Sequence, residues 1–348
     1  MKTRKLLLTL TAVIALGFAS VSDAEEARRF PAPSTVSPEM AAAVSAKAGD
    51  LWYSDPKSMD EWRKITGGYT EWASKNAEET AKKLGVTITE EKIAGVTVRT
   101  LTPKTIDADK QDKIIYYIHG GGYVFGEGVA GTTEGTLMAY YNNYKVVAVD
   151  YRLAPEHPYP AAIDDAFAVY KELVKKYGAE NIAVLGTSTG GAMTLILALQ
   201  AIEGGVPIPA ALISGTPWSD MDKIGDSYVT NDGVDNILGT YDHLIKASAE
   251  VYANGADLKD PLISPVYAKS GELAKFPPTL LVSGTRDLFL SNTVRMHKLL
   301  LMNGAEAELL VYEALSHAQY YLVPDAPETA DHYKLMGMFL DGHFLKKE

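Results

Sequence analysis

The chain has 348 residues, 44 acidic against 33 basic side chains, a formal net charge of −11 at pH 7 and no cysteine. That balance argues against nucleic acid or another polyanion as a partner, and the missing thiols exclude disulfides and cysteine-based metal or redox chemistry. The length is generous for one domain and ample for a large core.

At the start of the chain Lys2, Arg4 and Lys5 precede thirteen mostly apolar residues, Leu6 to Phe18, and then Ser22-Asp23-Ala24, small at both cleavage-determining positions. This pattern predicts a secretory signal peptide over residues 1–24. Thirteen residues are too few to span a bilayer, and no later segment reaches the required apolar length. The expectation is an exported protein, periplasmic or extracellular, without stable membrane insertion. Without residues 1–24, 30 basic and 43 acidic residues remain, a net charge of −13.

Residues 25–84 read as a Pro-containing linker (Pro31, Pro33, Pro38) and then, from Met40 to about Leu84, as helical patterns carrying Trp52, Trp62 and Trp72. These tryptophans suit the packing face of cap helices; the alternative is that some of them line a substrate entrance. Residues 85–348 read as the main domain. Strands are expected near 87–93, 96–101, 113–118, 145–149, 181–185, 210–214, 279–283 and 308–312, and helices near 161–177, 189–203, 291–302 and 327–345. This alternation predicts an α/β fold with a mostly parallel eight-stranded sheet and helices on both faces. It breaks at about 216–255, which lacks strand character and is expected to form a second cap element.

Between the fifth strand and the next helix the chain reads Gly186-Thr187-Ser188-Thr189-Gly190-Gly191. A G-x-S-x-G turn lifts a serine hydroxyl above the sheet edge and puts the next backbone N–H at a helix N-terminus, which makes Ser188 the candidate nucleophile. The third strand runs into His119-Gly120-Gly121-Gly122-Tyr123. The N–H groups of Gly121, Gly122 and Thr189 are the candidate oxyanion donors, and His119 reads as a structural anchor of that loop. Asp287 and His317 each fall just past a late strand, on the edge where Ser188 emerges, as the orienting acid and the general base. Glu313 is the rival acid. The other histidines lie in a Pro-rich loop (His157) or in predicted helices (His243, His297, His332, His343). Gly126-Glu127-Gly128-Val129-Ala130-Gly131 matches G-x-G-x-x-G, with Asp150 ending the following strand, but Gly120 to Phe125 separate it from its own strand, so a nicotinamide site is not favoured.

His119-Gly120-Gly121-Gly122, the stretch from Asp150 to Ala162 (DYRLAPEHPYPAA), the serine turn and Asp260-Pro261-Leu262-Ile263-Ser264-Pro265 together resemble the hormone-sensitive-lipase-like carboxylesterases of the α/β-hydrolase fold, over roughly residues 90 to 345. The resemblance implies a serine carboxylesterase for small-molecule esters of short to medium acyl chains, needing no cofactor and no metal, with a helical cap walling the substrate pockets. A deacetylase or an aryl- or sugar-ester hydrolase of the same fold is the alternative; from a different class, so is a catalytically dead hydrolase fold used as a binding module. Many relatives carry an acidic residue at position 187 and alanine at 189. Thr189 keeps its N–H but adds a branched side chain, which is expected to narrow the acyl pocket at the nucleophile.

Overall fold

The computed structural model describes residues 30–345, and the expected signal peptide lies outside them. The first elements are α1 (Pro38–Val44), a 3-10 turn (Asp50–Tyr53) and the long helix α2 (Met59–Leu84). The start of α2 is written locally: Ser58 Oγ accepts the N–H of Glu61, and the Glu61 carboxylate accepts the N–H of Ser58. This reciprocal cap satisfies two N–H groups that the first helical turn would leave without partners.

Eight strands follow: β1 (Thr87–Ile93), β2 (Val96–Thr102), β3 (Ile114–Ile118), β4 (Lys145–Asp150), β5 (Ile182–Thr187), β6 (Ala211–Gly215), β7 (Thr279–Gly284) and β8 (Ala307–Tyr312). They form one sheet in the order β1-β2-β4-β3-β5-β6-β7-β8. β2 pairs antiparallel with β1 and β4, and every pairing from β4 to β8 is parallel. The expected strands lie within two residues of these bounds.

The remaining helices are α3 (Thr133–Asn142), α4 (Ala161–Tyr177), α5 (Thr189–Gly204), α6 (Ser227–Thr230), α7 (Leu244–Ala253), α8 (Ser270–Leu273), α9 (Leu290–Met302), α10 (Gln319–Leu322) and α11 (Pro327–His343). Sequence periodicity did not reveal α3. Seven of its ten residues are buried, so it has no apolar stripe set against a polar face. The 216–255 segment holds α6, α7 and connecting loops, without a strand.

Parallel strands packed on both faces need apolar side chains on both. In β3, Tyr116 and Ile118 join the core layer that also contains residues of α4, α5 and α9, whereas Ile115 and Tyr117 join the layer with residues of α3 and α11. The same alternation separates Ile182 and Val184 from Ala183 and Leu185 in β5. Among the described residues no helix is long and apolar enough to cross a membrane.

Leu212, fully buried on β6, tests this core. Leu212→Ala should destabilise the protein by about 2–5 kcal/mol, seen as a lower urea midpoint. Met338→Ala, at an exposed position of α11, should change stability by less than about 0.5 kcal/mol.

Candidate active site

Because β3, β5, β7 and β8 run parallel, the loops at their C-terminal ends open on one edge of the sheet, where open α/β sheets bind ligands. That edge collects Gly120 to Gly122, Ser188, Asp287 and His317. Ser188 sits between β5 and α5 with φ 64° and ψ −123°. A non-glycine residue held there costs on the order of 1–3 kcal/mol. The surroundings hold the geometry: the Ser188 N–H donates to Gly215 O at 2.8 Å, extending the β5–β6 ladder, and its carbonyl accepts from Ala192 and Trp218. The turn is also pressed onto β3, since a Cβ on Gly190 would stand 2.0 Å from the Ile118 carbonyl oxygen. Only glycine allows that approach.

The glycine loop after β3 lies directly beside the serine. A Cβ on Gly120 would stand 2.6 Å from Thr187 O and 3.1 Å from Ser188 Cβ. Among the described residues, the N–H groups of Gly121, Gly122 and Thr189 have no hydrogen-bond acceptor. His119, at the root of this loop, is buried against Tyr151, the rings 4.1 Å apart and nearly parallel, with Nδ1 2.7 Å from Gly120 O. Burial pushes its pKa down. Its contacts are those of an anchor.

Asp287 and His317 are brought together in the interior, His317 Nδ1 lying 3.0 Å from Asp287 Oδ1. The carboxylate also accepts from Phe289 N at 2.9 Å and from Ser283 Oγ at 2.6 Å. These donors fix the plane of the carboxylate. Phe289 packs edge-on to the imidazole at 4.9 Å and stacks on Trp218, which is hydrogen-bonded to Ser188. The other ring nitrogen of His317, Nε2, is buried and has no hydrogen-bond partner. Glu313 is exposed and accepts from Thr35 Oγ1 at 2.5 Å, away from the ring.

Thr189 is fully buried at the first position of α5. The decoy glycine motif has its own explanation: Asp150 is held by Arg99 at 2.7 Å and by the N–H of Gly128 at 2.9 Å, which leaves that carboxylate committed within the fold.

Sequence reasoning missed Glu134, which lies under the serine turn. Thr187 Oγ1 donates to its Oε1 at 2.6 Å, and Thr187 also contacts the Tyr320 hydroxyl at 3.4 Å. Burial, the largest influence, raises the Glu134 pKa to about 7 against the hydrogen bond from Thr187. A single acidic residue in an unforeseen helix gives no sequence signal of this kind. Its partner does: Thr187 stands where many relatives have an acid.

Residues 115–321 match the family model described as alpha/beta hydrolase fold. The chain belongs to the α/β-hydrolase family. Within it, this hydrolase resembles the crystal structure of an esterase E25, with 40% identity and a TM-score of 0.87 over 94% of this chain and 99% of that one. A hormone-sensitive lipase from a metagenome library is similar at 26% identity and a TM-score of 0.74, covering 85% and 95% of the two chains. An acetyl-hydrolase of Streptomyces hygroscopicus is 29% identical over 70% of this chain and 81% of its own. These likenesses place the hydrolase in the hormone-sensitive-lipase-like branch.

Two measurements probe the acids. Asp287→Asn should lower kcat/KM by a large factor, about 10⁴ if His317 loses its tautomer, whereas Glu313→Gln should cost little; the reverse ranking in ester assays would move the orienting role to Glu313. For Glu134, a carboxyl with a raised folded-state pKa, the stabilisation belongs to the protonated form: it is complete below the unfolded value near 4.5 and lost as pH rises to about 7. Denaturant titrations should therefore show Glu134→Gln gaining on the unmutated protein between pH 4.5 and 7, by up to about 3 kcal/mol.

Proposed function

We propose that this carboxylic-ester hydrolase works through an acyl-enzyme on Ser188. In acylation His317 Nε2 takes the Ser188 proton as Oγ attacks the ester carbonyl, and the N–H groups of Gly121, Gly122 and Thr189 receive the developing oxyanion. The same imidazolium protonates the leaving alcohol. Water, deprotonated by His317, then resolves the acyl-enzyme, while Asp287 fixes the imidazole tautomer throughout. The observation that carries this reading is the buried Asp287–His317 pair with Nε2 left unpartnered, on the same sheet edge as a serine held in a strained turn. Among the described residues His317 Nε2 has no hydrogen bond to Ser188 Oγ; catalytic contacts of this kind are commonly long in the free enzyme and tighten with substrate. The similarity to proteins named esterase and acetyl-hydrolase supports the ester class.

The substrate class we infer is esters of short to medium acyl chains. Both cap segments close on the glycine loop. Tyr123 stacks on Tyr252 of α7 at 3.6 Å, and Phe125 meets Trp52 and Tyr69 from the N-terminal segment at 6.3 and 4.8 Å. The two segments also touch each other where Asp55 lies 2.8 Å from His243 Nδ1. A roof tied down on both sides favours a pocket of limited depth. The basic, apolar and small-residue regions within residues 2–24 support action outside the cytoplasm.

Ser188→Ala should lose activity by several orders of magnitude while staying folded, keeping on the order of 10³ over water from the oxyanion donors and binding. An organophosphonate should add to Ser188 alone. Each buried CH₂ is worth about 0.8 kcal/mol only while the pocket has room, so a p-nitrophenyl ester series should peak at about C4 to C6 and fall beyond about C10. Labelling of another residue would overturn the nucleophile, and a maximum on palmitate would overturn the substrate class.

A further inference from the structure

We propose that Asp235, in the segment between α6 and α7, is a positioning residue that holds the loops of Asp287 and His317 together through one carboxylate. The proposal rests on the assignment of those two residues to the catalytic site. Asp235 is fully buried. Its Oδ2 accepts the N–H of Leu288, the residue after Asp287, at 2.7 Å, and the N–H of His317 itself at 3.3 Å. Its Oδ1 accepts the N–H groups of Ile237 and Leu238 at 2.9 and 3.0 Å, which closes the carboxylate's own turn and sets its plane. One oxygen therefore joins the β7 loop to the β8 loop, and the other anchors it in the cap segment.

The segment around Asp235 adds two further ties. Asn231 Nδ2 donates to Asp287 O at 2.8 Å and to Thr285 O at 3.2 Å, and the N–H of Asn236 donates to Ser316 Oγ at 3.1 Å. Residues 231–238 thus grip the backbone on both sides of the acid–base pair, whose side chains meet 3.0 Å apart. An error of about 1 Å in the placement of a base can cost on the order of 10² in rate, and this grip is what opposes such an error.

The carboxylate also has an electrostatic consequence. The ionisable groups around it are Asp287 and His317 on the two gripped loops, Tyr53 on the 3-10 turn, and Asp232 on its own segment. Burial, and then the charge of Asp287, push its pKa up to about 6, while His317 and the N–H donors pull the other way. Above that value the site holds a second buried negative charge beside the imidazolium formed when Ser188 gives up its proton.

Asp235→Asn keeps the shape but presents an amide N–H₂ to one pair of N–H donors, and it removes the charge. It should lower kcat on p-nitrophenyl butyrate by about 10–100-fold, with KM changed less than about twofold, and move the acid limb of the kcat/KM profile down by about half a pH unit or more. Asp235→Glu keeps the charge and disturbs the reach, so kcat should fall while the limb stays near its original pH. The rate of phosphonylation of Ser188 should follow the same pattern. An Asp235→Asn enzyme with unchanged kcat and limb, or one that loses activity only in proportion to lost folded protein, would overturn the positioning role. Phosphonate attached elsewhere in the unmutated enzyme would instead overturn the nucleophile, so the two failures are distinct.

Discussion

At Ser188 the chain must pass from a buried parallel strand into a helix within one residue, and it does so with a positive φ that an L-amino acid resists. The strain persists because the turn is confined on all sides: by the β6 ladder through Gly215, by the β3 carbonyls against Gly190, and by the carboxyl of Glu134 bonded to Thr187. A tight turn here forces glycine at positions 186, 190 and 191. The glycine loop after β3 must then lie alongside, since its Gly120 backbone fills the space next to Ser188 Cβ. The glycine loop and Ser188 share a location because of this packing.

Three buried carboxyl groups lie around the serine turn and the Asp287–His317 pair. Asp287 receives two donors besides the imidazole. Glu134 has one hydrogen-bonded oxygen and one without a partner, and burial raises its pKa to about 7. Asp235 is raised to about 6 despite four backbone donors, by burial and then by the charge of Asp287. Buried acids without a cationic side chain are expensive. Their grouping around one imidazole and one strained serine is the kind of cost that functional sites carry.

The N-terminal helices and the 216–255 segment meet the glycine loop through aromatic rings. Of the tryptophans in the N-terminal segment, Trp62 is buried in the core, Trp52 meets Phe125, and Trp72 is exposed against Tyr69. Tyr123 and Phe125, just after the three glycines, tie the glycine loop to α7 and α2 through Tyr252 and Tyr69.

The strands, most of the long helices and the candidate residues Ser188, Asp287, His317, Gly121 and Gly122 were legible in the sequence. Buried parallel strands are unbroken apolar runs, and a strained turn admits few residue types, so local composition suffices. Helix α3 was not legible, because burial on nearly all sides erases periodicity. The tertiary structure alone decided that Asp287, and not Glu313, meets the imidazole, because both follow strand ends and only loop geometry separates a buried partner from an exposed one. It alone brought Glu134 and Asp235 to the site, from 54 and 47 residues away in the chain relative to Ser188. Contacts across such separations depend on how the layers stack, and no local pattern encodes them.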